Sequence, residues 1–440
     1  MKRRPTRRKK KGNWRIGNGR EHVEVGIAIL FGGTYVTLVP DDQRRPSLQH
    51  IVPSWSFFFS FRNSMAYRIP IFGLVPILAA MLFHYSGLQT DSPYYASSWC
   101  NPLQPIALIY MGLAHLWVGR RIQPARLPPP TVENTRKVAV VTGANTGIGF
   151  ETARTLVLEY HWQVVLACRS KDKAIDAMNA INKERNTQLS DESLGEAIVL
   201  EQTLDLSSFD SVRLFAQEVR QKFPKLDVLI NNAGRNTSGK SGPLDLLFQS
   251  NFLGHFLLTK ELLESLQKEN GHVINLSSAM HHFSGTRPLD ESYWKSVALH
   301  SPDRPPETYA ASKTAAILFS LELTRRYPQL RSTAVNPGAA SSDIWRGFPK
   351  LIQNIMKVFF LTPSQASVPV VAAAVTPDLT ATYLQPYWLY DYSKPPFPAL
   401  EMLGPYVGYV ATTPRLPSDG GLEAALSLWK VSEELTSHAE

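Results

Sequence analysis

"VAVVTGANTGIGFETARTL" (138–156) joins an apolar, β-branched run to a segment of helical periodicity through a turn that holds Gly143, Gly147 and Gly149. A strand, a glycine-rich turn and a helix in that order form a nucleotide-binding unit. The glycines permit tight backbone geometry, and the free N–H groups and dipole at the helix N-terminus favour the pyrophosphate of a dinucleotide. A lone glycine cluster carries little weight, so its context decides.

Working outward, short apolar runs recur downstream at "QVVLAC", "AIVLEQT", "LDVLINN", "HVINLSS" and "STAVNPG". Helical stretches such as "SVRLFAQEVRQKF" lie between most of them. This alternation predicts right-handed β-α-β units and an α/β fold with a Rossmann-type, doubly wound parallel sheet. The second strand, "VVLACRS", contains no acid to hold the ribose hydroxyls of NAD, and Arg169 stands about 20 residues after the glycine turn. A guanidinium there suits a 2′-phosphate and points to NADP(H) as the cofactor. Cys168, in an apolar run, reads as a small buried thiol.

Upstream the texture changes. The segments "IPIFGLVPILAAMLFHYSGL" (69–88) and "PLQPIALIYMGLAHLWVG" (102–119) contain no Asp, Glu, Lys or Arg. Both approach the ~20 residues that span a bilayer as a helix. Arg62 and Arg68 precede the first, Arg120, Arg121 and Arg126 follow the second, and Asp91 is the one charge between them. The positive-inside tendency then predicts a hairpin with both ends cytosolic. A buried soluble hairpin, or one spanning or interfacial helix, are the alternatives. The expected organisation is a basic N-terminal extension over 1–62, a membrane-anchoring helical hairpin over 63–124, a Pro-rich linker over 125–135 and a catalytic domain over 136–435.

The net charge of +9 is local: residues 1–20 hold ten Lys or Arg and no acid, and the rest is close to balanced. The basic character is thus a tail, a solvated segment or else a contact for anionic lipid or nucleic acid, and with a near-neutral remainder no nucleic-acid partner is expected. Cys100 and Cys168 match no metal spacing, and His281 and His282 lack a third ligand at sensible spacing, so no metal is expected.

Two Tyr-x-x-x-Lys pairs occur, Tyr309 with Lys313 and Tyr390 with Lys394. The first lies in "PPETYAASKTAAILFSLELTRRY", a run without an interior breaker, where positions i and i+4 share a helical face. The second is followed by Pro395 and Pro396, which oppose a helix. Reducing a carbonyl needs a hydride at carbon, a proton at oxygen and stabilisation of the oxyanion. A tyrosine with a pKa near ~10 becomes a usable acid–base when an ammonium and a cationic nicotinamide stabilise its phenolate.

"TGANTGIG", "NNAG" (231–234), Tyr309-Ala-Ala-Ser-Lys313 and "NPG" (336–338) follow one another in the order and spacing of the classical short-chain dehydrogenases/reductases. "ACRS", "NFLGHFLLT", "INLSSAMHH" and "LWKVSEEL" resemble the retinol dehydrogenase-like and WW-domain oxidoreductase-like branch, although no WW domain is visible. The resemblance covers residues 136–435. It implies a catalytic set of Asn251, Ser278, Tyr309 and Lys313: Tyr309 as acid–base, Ser278 on the substrate oxygen, Lys313 on the nicotinamide ribose, and Asn251 in a proton relay. It implies cofactor contacts from Gly143, Asn145, Thr146, Gly147, Ile148, Gly149, Arg169, Asp205, Asn232, Tyr309, Lys313, Pro337, Gly338 and Ser342. Asp205 would meet the adenine, Asn232 the adenosine ribose and Ser342 the carboxamide.

The 30 residues between Ser278 and Tyr309 are many for this family, and "LDESYWKSVALHSPDRPPE" is expected to form a loop at the substrate entrance. "RNTQLSDESLGEA" reads as a polar insertion between helix and strand. The aromatic and proline-dense "TYLQPYWLYDYSKPPFPALEMLGPYVGYV" (382–410) would cover the site. With the hairpin it suggests a lipophilic carbonyl or alcohol as substrate: a retinoid, a steroid or a lipid-derived aldehyde. The expected enzyme is an NADP(H)-dependent oxidoreductase at a membrane, endoplasmic reticulum or lipid droplet, with its catalytic domain in the cytosol. A homo-oligomer is compatible with this reading. The alternative is a non-catalytic NADP(H)-binding scaffold on the same fold.

Overall fold

The computed structural model describes residues 127–133, 135–188, 195–237, 239–284, 287–299, 305–342, 360–376, 382–388, 406–412 and 421–437, with a few single positions between them. The apolar stretches at 69–88 and 102–119 and the basic tail lie outside the described residues. No helix among the described residues is long and apolar enough to cross a membrane. Tyr390 and Lys394 also lie outside them.

The strands are β1 (Val138–Thr142), β2 (Gln163–Ala167), β3 (Glu196–Ile198), β4 (Val228–Asn231), a small hairpin of β5 (Lys240–Ser241) and β6 (Leu244–Asp245), then β7 (His272–Leu276), β8 (Arg331–Val335), β9 (Tyr383–Trp388) and β10 (Tyr406–Thr412). The helices are α1 (Gly147–Leu158), α2 (Lys171–Gln188), α3 (Phe209–Lys222), α4 (Gly254–Gln267), α5 (Glu291–Leu299), α6 (Pro305–Arg326), α7 (Pro363–Val375) and α8 (Leu422–Ser437).

The main sheet has the order β10-β9-β8-β7-β4-β1-β2-β3. All neighbouring pairs are parallel except β10 with β9. The strand order reverses between β1 and β4, and in open α/β sheets ligands bind in the crevice that such a reversal leaves at the carboxyl ends.

Strand residues alternate between two buried layers, as a period of two requires. Val140, Val165, Leu229 and Val273 face the layer of α3, α4, α6 and α8, where Phe215, Phe256, Phe319 and Trp429 pack. Ala139, Val141, Val164, Leu166, Ile230 and Ile274 face α1, α2 and α7, against Leu156, Ile181 and Val371. With both faces covered, the strands read as continuous apolar runs.

Three expectations are corrected and one is extended. The segment before Tyr309 is more than a loop: it contains α5, whose Tyr293, Trp294 and Ala298 are buried. Trp294 stacks on Phe248 and its indole N–H donates to the Leu289 carbonyl at 3.0 Å, which holds this helix to the core. The aromatic C-terminal stretch supplies two strands, β9 and β10, that extend the sheet. The strand read in "AIVLEQT" ends at Ile198. Of the polar insertion, Arg185–Gln188 belongs to α2.

Candidate active site

The glycine turn leaves β1 and enters α1. Gly143 has φ +67°, a conformation that L side chains rarely adopt, and a Cβ there would lie 3.0 Å from the Ala233 Cα. At Gly149 a Cβ would overlap the Asn232 amide and the Gly143 carbonyl. The turn is therefore drawn against residues 232–233, and any side chain at these two positions would push it away. Asn145 is half-buried and Thr146 exposed. Thr146 sits at the N-cap in extended conformation without a side-chain capping bond, and no acid occupies the first turn. The N–H groups at Gly147, Ile148 and Gly149 thus face an N-terminus that favours an anion.

Asn232 follows β4 and ties it to β1: its backbone N–H donates to Thr142 Oγ1 at 2.9 Å and its side-chain amide to the Thr142 carbonyl at 2.7 Å. Asp205 is half-buried, and its Oδ1 accepts from the Ser207 N–H and hydroxyl at 2.9 and 2.6 Å. Arg169 is exposed just beyond β2. After β8, Pro337 is buried and Gly338 takes φ +79°, with its N–H donating to Asn336 Oδ1 at 3.0 Å. Ser342 comes to the glycine turn: a Cβ on Gly147 would lie 3.4 Å from the Ser342 Cβ. The donor set, an anion-seeking helix N-terminus beside a backbone cradle with no room for side chains, fits a dinucleotide pyrophosphate.

The proposed chemical groups meet at the same edge. Ser278 follows β7 and caps the short 3₁₀ turn Ala279–Phe283, accepting from the Met280 N–H at 3.2 Å. Tyr309 and Lys313 share one face of α6, the ammonium lying 5.5 Å from the phenol ring centre. Lys313 is 6% exposed, and its ammonium donates to the Leu276 carbonyl at 2.8 Å. The Ser277 hydroxyl donates to the Lys313 carbonyl at 2.8 Å and the Thr314 hydroxyl to the His281 carbonyl at 3.1 Å. These bonds strap α6 to the segment after β7, so Ser278 is held beside Tyr309.

Burial pushes the Tyr309 hydroxyl up to about 12, and a hydrogen bond with the Ser278 side chain acts in the opposite direction. Burial lowers Lys313 to about 8. Tyr309 is thus a proton reservoir at neutral pH, with its phenolate reached only when added positive charge stabilises it. Cys168 is buried and its thiol is pushed up to about 11, so it carries no reactive thiolate near pH 7. His281 is neutral, lowered by burial to about 3, and its Nδ1–H donates to the Ser278 carbonyl at 2.7 Å.

Asn251 lies in a π-helical turn, Gln249–Leu253, ahead of α4. Its Oδ1 accepts from the Arg235 N–H at 2.8 Å and its amide donates to the Arg235 carbonyl at 2.9 Å. A Cβ on Gly234 would lie 3.7 Å from Asn251 Oδ1 and 3.9 Å from Lys313 Nζ, so both side chains approach Gly234. The structure therefore gathers Asn251, Ser278, Tyr309 and Lys313 around the ends of β4 and β7. Thr142, Arg235, His255 and Ser312 hold Asn251 and its neighbours, Ser312 Oγ accepting from the Asn251 amide at 3.4 Å, and none of the four was read as a site residue from the sequence. The one available signal was the i, i+4 spacing of Asn251 and His255 in "NFLGH".

This geometry has relatives. Residues 137–287 match the family model described as short chain dehydrogenase. A short-chain dehydrogenase/reductase of Armillaria gallica is 35% identical over 256 residues, 56% of this chain and 78% of the relative. Retinol dehydrogenase 11 of Homo sapiens is 34% identical over 280 residues, 62% of this chain and 82% of the relative. Polyprenol dehydrogenase of Homo sapiens is 32% identical over 277 residues, 59% of this chain and 79% of the relative. The chain belongs to the short-chain dehydrogenase/reductase family, in its retinol dehydrogenase-like branch. It is a family of oxidoreductases acting on CH–OH groups.

Proposed function

We propose that this protein is an NADP(H)-dependent oxidoreductase that interconverts a lipophilic aldehyde or ketone and its alcohol. The observation that carries the reading is the convergence of Ser278, Tyr309 and Lys313 beside the glycine turn at one sheet edge. The glycine turn and Lys313 would hold a nicotinamide nucleotide, which would supply or accept the hydride at the carbonyl carbon. In reduction Tyr309 gives its phenolic proton to the carbonyl oxygen, and the Ser278 hydroxyl donates a hydrogen bond to that oxygen. The Lys313 ammonium stabilises the phenolate left behind and holds the nicotinamide ribose. Asn251 continues a proton relay from Lys313 through water.

Arg169, with no acid in β2, supports NADP(H) over NAD(H). The names of the retinol and polyprenol dehydrogenase relatives support a lipophilic alcohol or carbonyl. So does the aromatic stretch at 382–410. The domain organisation that goes with this function is the hairpin at 63–124 anchoring the catalytic domain, 136–435, to an endoplasmic reticulum or lipid-droplet membrane. The catalytic domain then faces the cytosol.

The test is a screen of the purified protein, with NADPH or NADH, against retinaldehyde, steroid ketones and long-chain aldehydes. NADPH oxidation with at least one of them is expected. Nucleotide binding without turnover on any would favour a non-catalytic scaffold. Retention in the membrane fraction after alkaline carbonate washing is expected, and quantitative release would contradict the anchor.

A further inference from the structure

The turn that carries Asn251 departs from a regular helix. Gly254 N–H reaches back to the Gln249 carbonyl, which winds Gln249–Leu253 as a π-turn. Single π-turns inside helices are frequent at functional sites, and they persist only where neighbours hold them. Gln249 donates to the Ser207 carbonyl at 3.0 Å, and Asn251 clasps the Arg235 backbone from both sides. His255, four residues on, supplies a third restraint. Its Nδ1 lies 3.1 Å from the Asn251 carbonyl and its Nε2 2.9 Å from Thr142 Oγ1.

A carbonyl only accepts, so Nδ1 carries the ring proton and Nε2 takes the Thr142 hydroxyl proton. The alternative acceptor for that hydroxyl, the Ile230 carbonyl, is farther away at 3.3 Å. His255 is 3% exposed, and burial lowers it to about 4, so it keeps this neutral tautomer at physiological pH. Thr142 Oγ1 meanwhile accepts the N–H groups of both Asn232 and Ala233 at 2.9 Å.

These bonds close a ring. Thr142 holds the front of the segment Asn232–Arg235, Asn251 holds its back, and His255 joins the two holders. Within the segment, Gly234 is the residue that both Asn251 Oδ1 and Lys313 Nζ approach. We propose that His255 is a positioning residue: by linking Thr142 to the Asn251 carbonyl it clamps Asn232–Arg235 and sets Asn251 against Lys313. The proposal rests on the oxidoreductase reading above. His255 itself is buried with its ring nitrogens on Thr142 and the Asn251 carbonyl, and acts through Asn251.

Three variants separate the roles of the ring. His255→Phe keeps the bulk and loses both bonds, whereas His255→Asn retains a donor at the Nδ1 position. Thr142→Val removes the hydroxyl and leaves the Nε2 end unpaired. Misplacement of a catalytic group by about 1 Å can cost about 100-fold, so kcat of His255→Phe should fall about 10- to 100-fold. The nucleotide Kd should change by less than about 3-fold, and His255→Asn should recover most of the rate. In an Asn251→Ala background, His255→Phe should cost less than about 2-fold more, as for residues acting through one another.

An unchanged kcat, a His255→Asn as poor as His255→Phe, or an additive double variant would each overturn the proposal. Amide hydrogen exchange gives a readout without turnover: residues 232–235 and 249–256 should exchange faster in His255→Phe and in Thr142→Val. Unchanged exchange there overturns the clamp. A wild type that turns over no carbonyl sinks the oxidoreductase reading, and exchange still judges the clamp.

Discussion

The two ends of the parallel sheet both bury ionisable groups, yet the carboxyl end alone sets them beside a glycine turn and a reversal of strand order. At the amino ends of the strands Lys137, Asp227, His272 and Arg331 cluster just before or at the start of β1, β4, β7 and β8. Burial lowers Lys137 and raises Asp227, and it pushes His272 down to about 3. Their bonds turn inward: Asp227 Oδ2 accepts the Val138 N–H at 2.9 Å, His272 Nε2 meets Thr333 Oγ1 at 2.9 Å, and Arg331 donates to the Thr376 carbonyl at 3.2 Å. At the carboxyl ends Lys313 and Tyr309 are shifted too, but they stand beside a glycine cradle, a half-buried hydroxyl and a strand-order reversal. A displaced pKa marks burial; a site needs displaced groups that face a crevice.

That contrast can be broken by substitution. The largest effect is expected for Lys313→Met, which removes the buried ammonium proposed to serve both Tyr309 and the ribose. Turnover should fall about 10²- to 10⁴-fold, the range of acid–base contributions, and a loss under tenfold would detach Lys313 from the chemistry. Next, Arg169→Asp should lower the preference for NADPH over NADH about 10- to 100-fold, the worth of one charge-assisted hydrogen bond. Steady-state kinetics with both nucleotides check this, and an unchanged ratio would refute the 2′-phosphate role.

At the opposite edge, Asp227→Ala should cost about 1–3 kcal/mol of stability by orphaning the Val138 N–H, read by denaturant melting. Its kcat should stay within about 2-fold of wild type, as for a change remote from the reacting groups. A selective loss of kcat would erase the distinction between the two ends.

The smallest effect is one of pH. Because the folded Lys313 value, about 8, lies below the 10.5 of an ordinary lysine, the unfolded chain binds more protons between them. Stability from this group therefore rises with pH across that window and the cost of burying the ammonium is full below about 8. In the same window the ammonium is lost, so kcat/KM for the nucleotide should decline as pH passes about 8. Lys313→Arg should flatten the stability dependence.

Most of the parallel sheet was legible because β1, β2, β4, β7 and β8 are apolar runs, and all but β2 are closed by Gly, Asn or Ser at their carboxyl ends. The same residues mark the site, since strand ends, turns and cofactor contacts coincide there. β9 was hidden by Pro386 and its aromatics; its pairing with β8 ends at Leu384, before the proline. α5 was hidden because its buried face is only Tyr293, Trp294 and Ala298, set in polar and proline-rich surroundings. The π-turn leaves no periodic signature, since Ser207, Arg235 and Thr142 hold it from elsewhere in the chain. His255 could be seen as a neighbour of Asn251 on a helix, but its second partner is 113 residues away.

The central claim is that Tyr309 delivers the proton at this edge. Tyr309→Phe removes one oxygen from a side chain otherwise packed on α6, so folding and nucleotide binding should persist, checked by melting temperature and nucleotide titration. The decisive measurement is single-turnover carbonyl reduction by the NADPH-loaded variant and wild type. A fall of about 10²- to 10⁴-fold is predicted for loss of the general acid. Equal single-turnover rates with equal nucleotide occupancy would contradict the account.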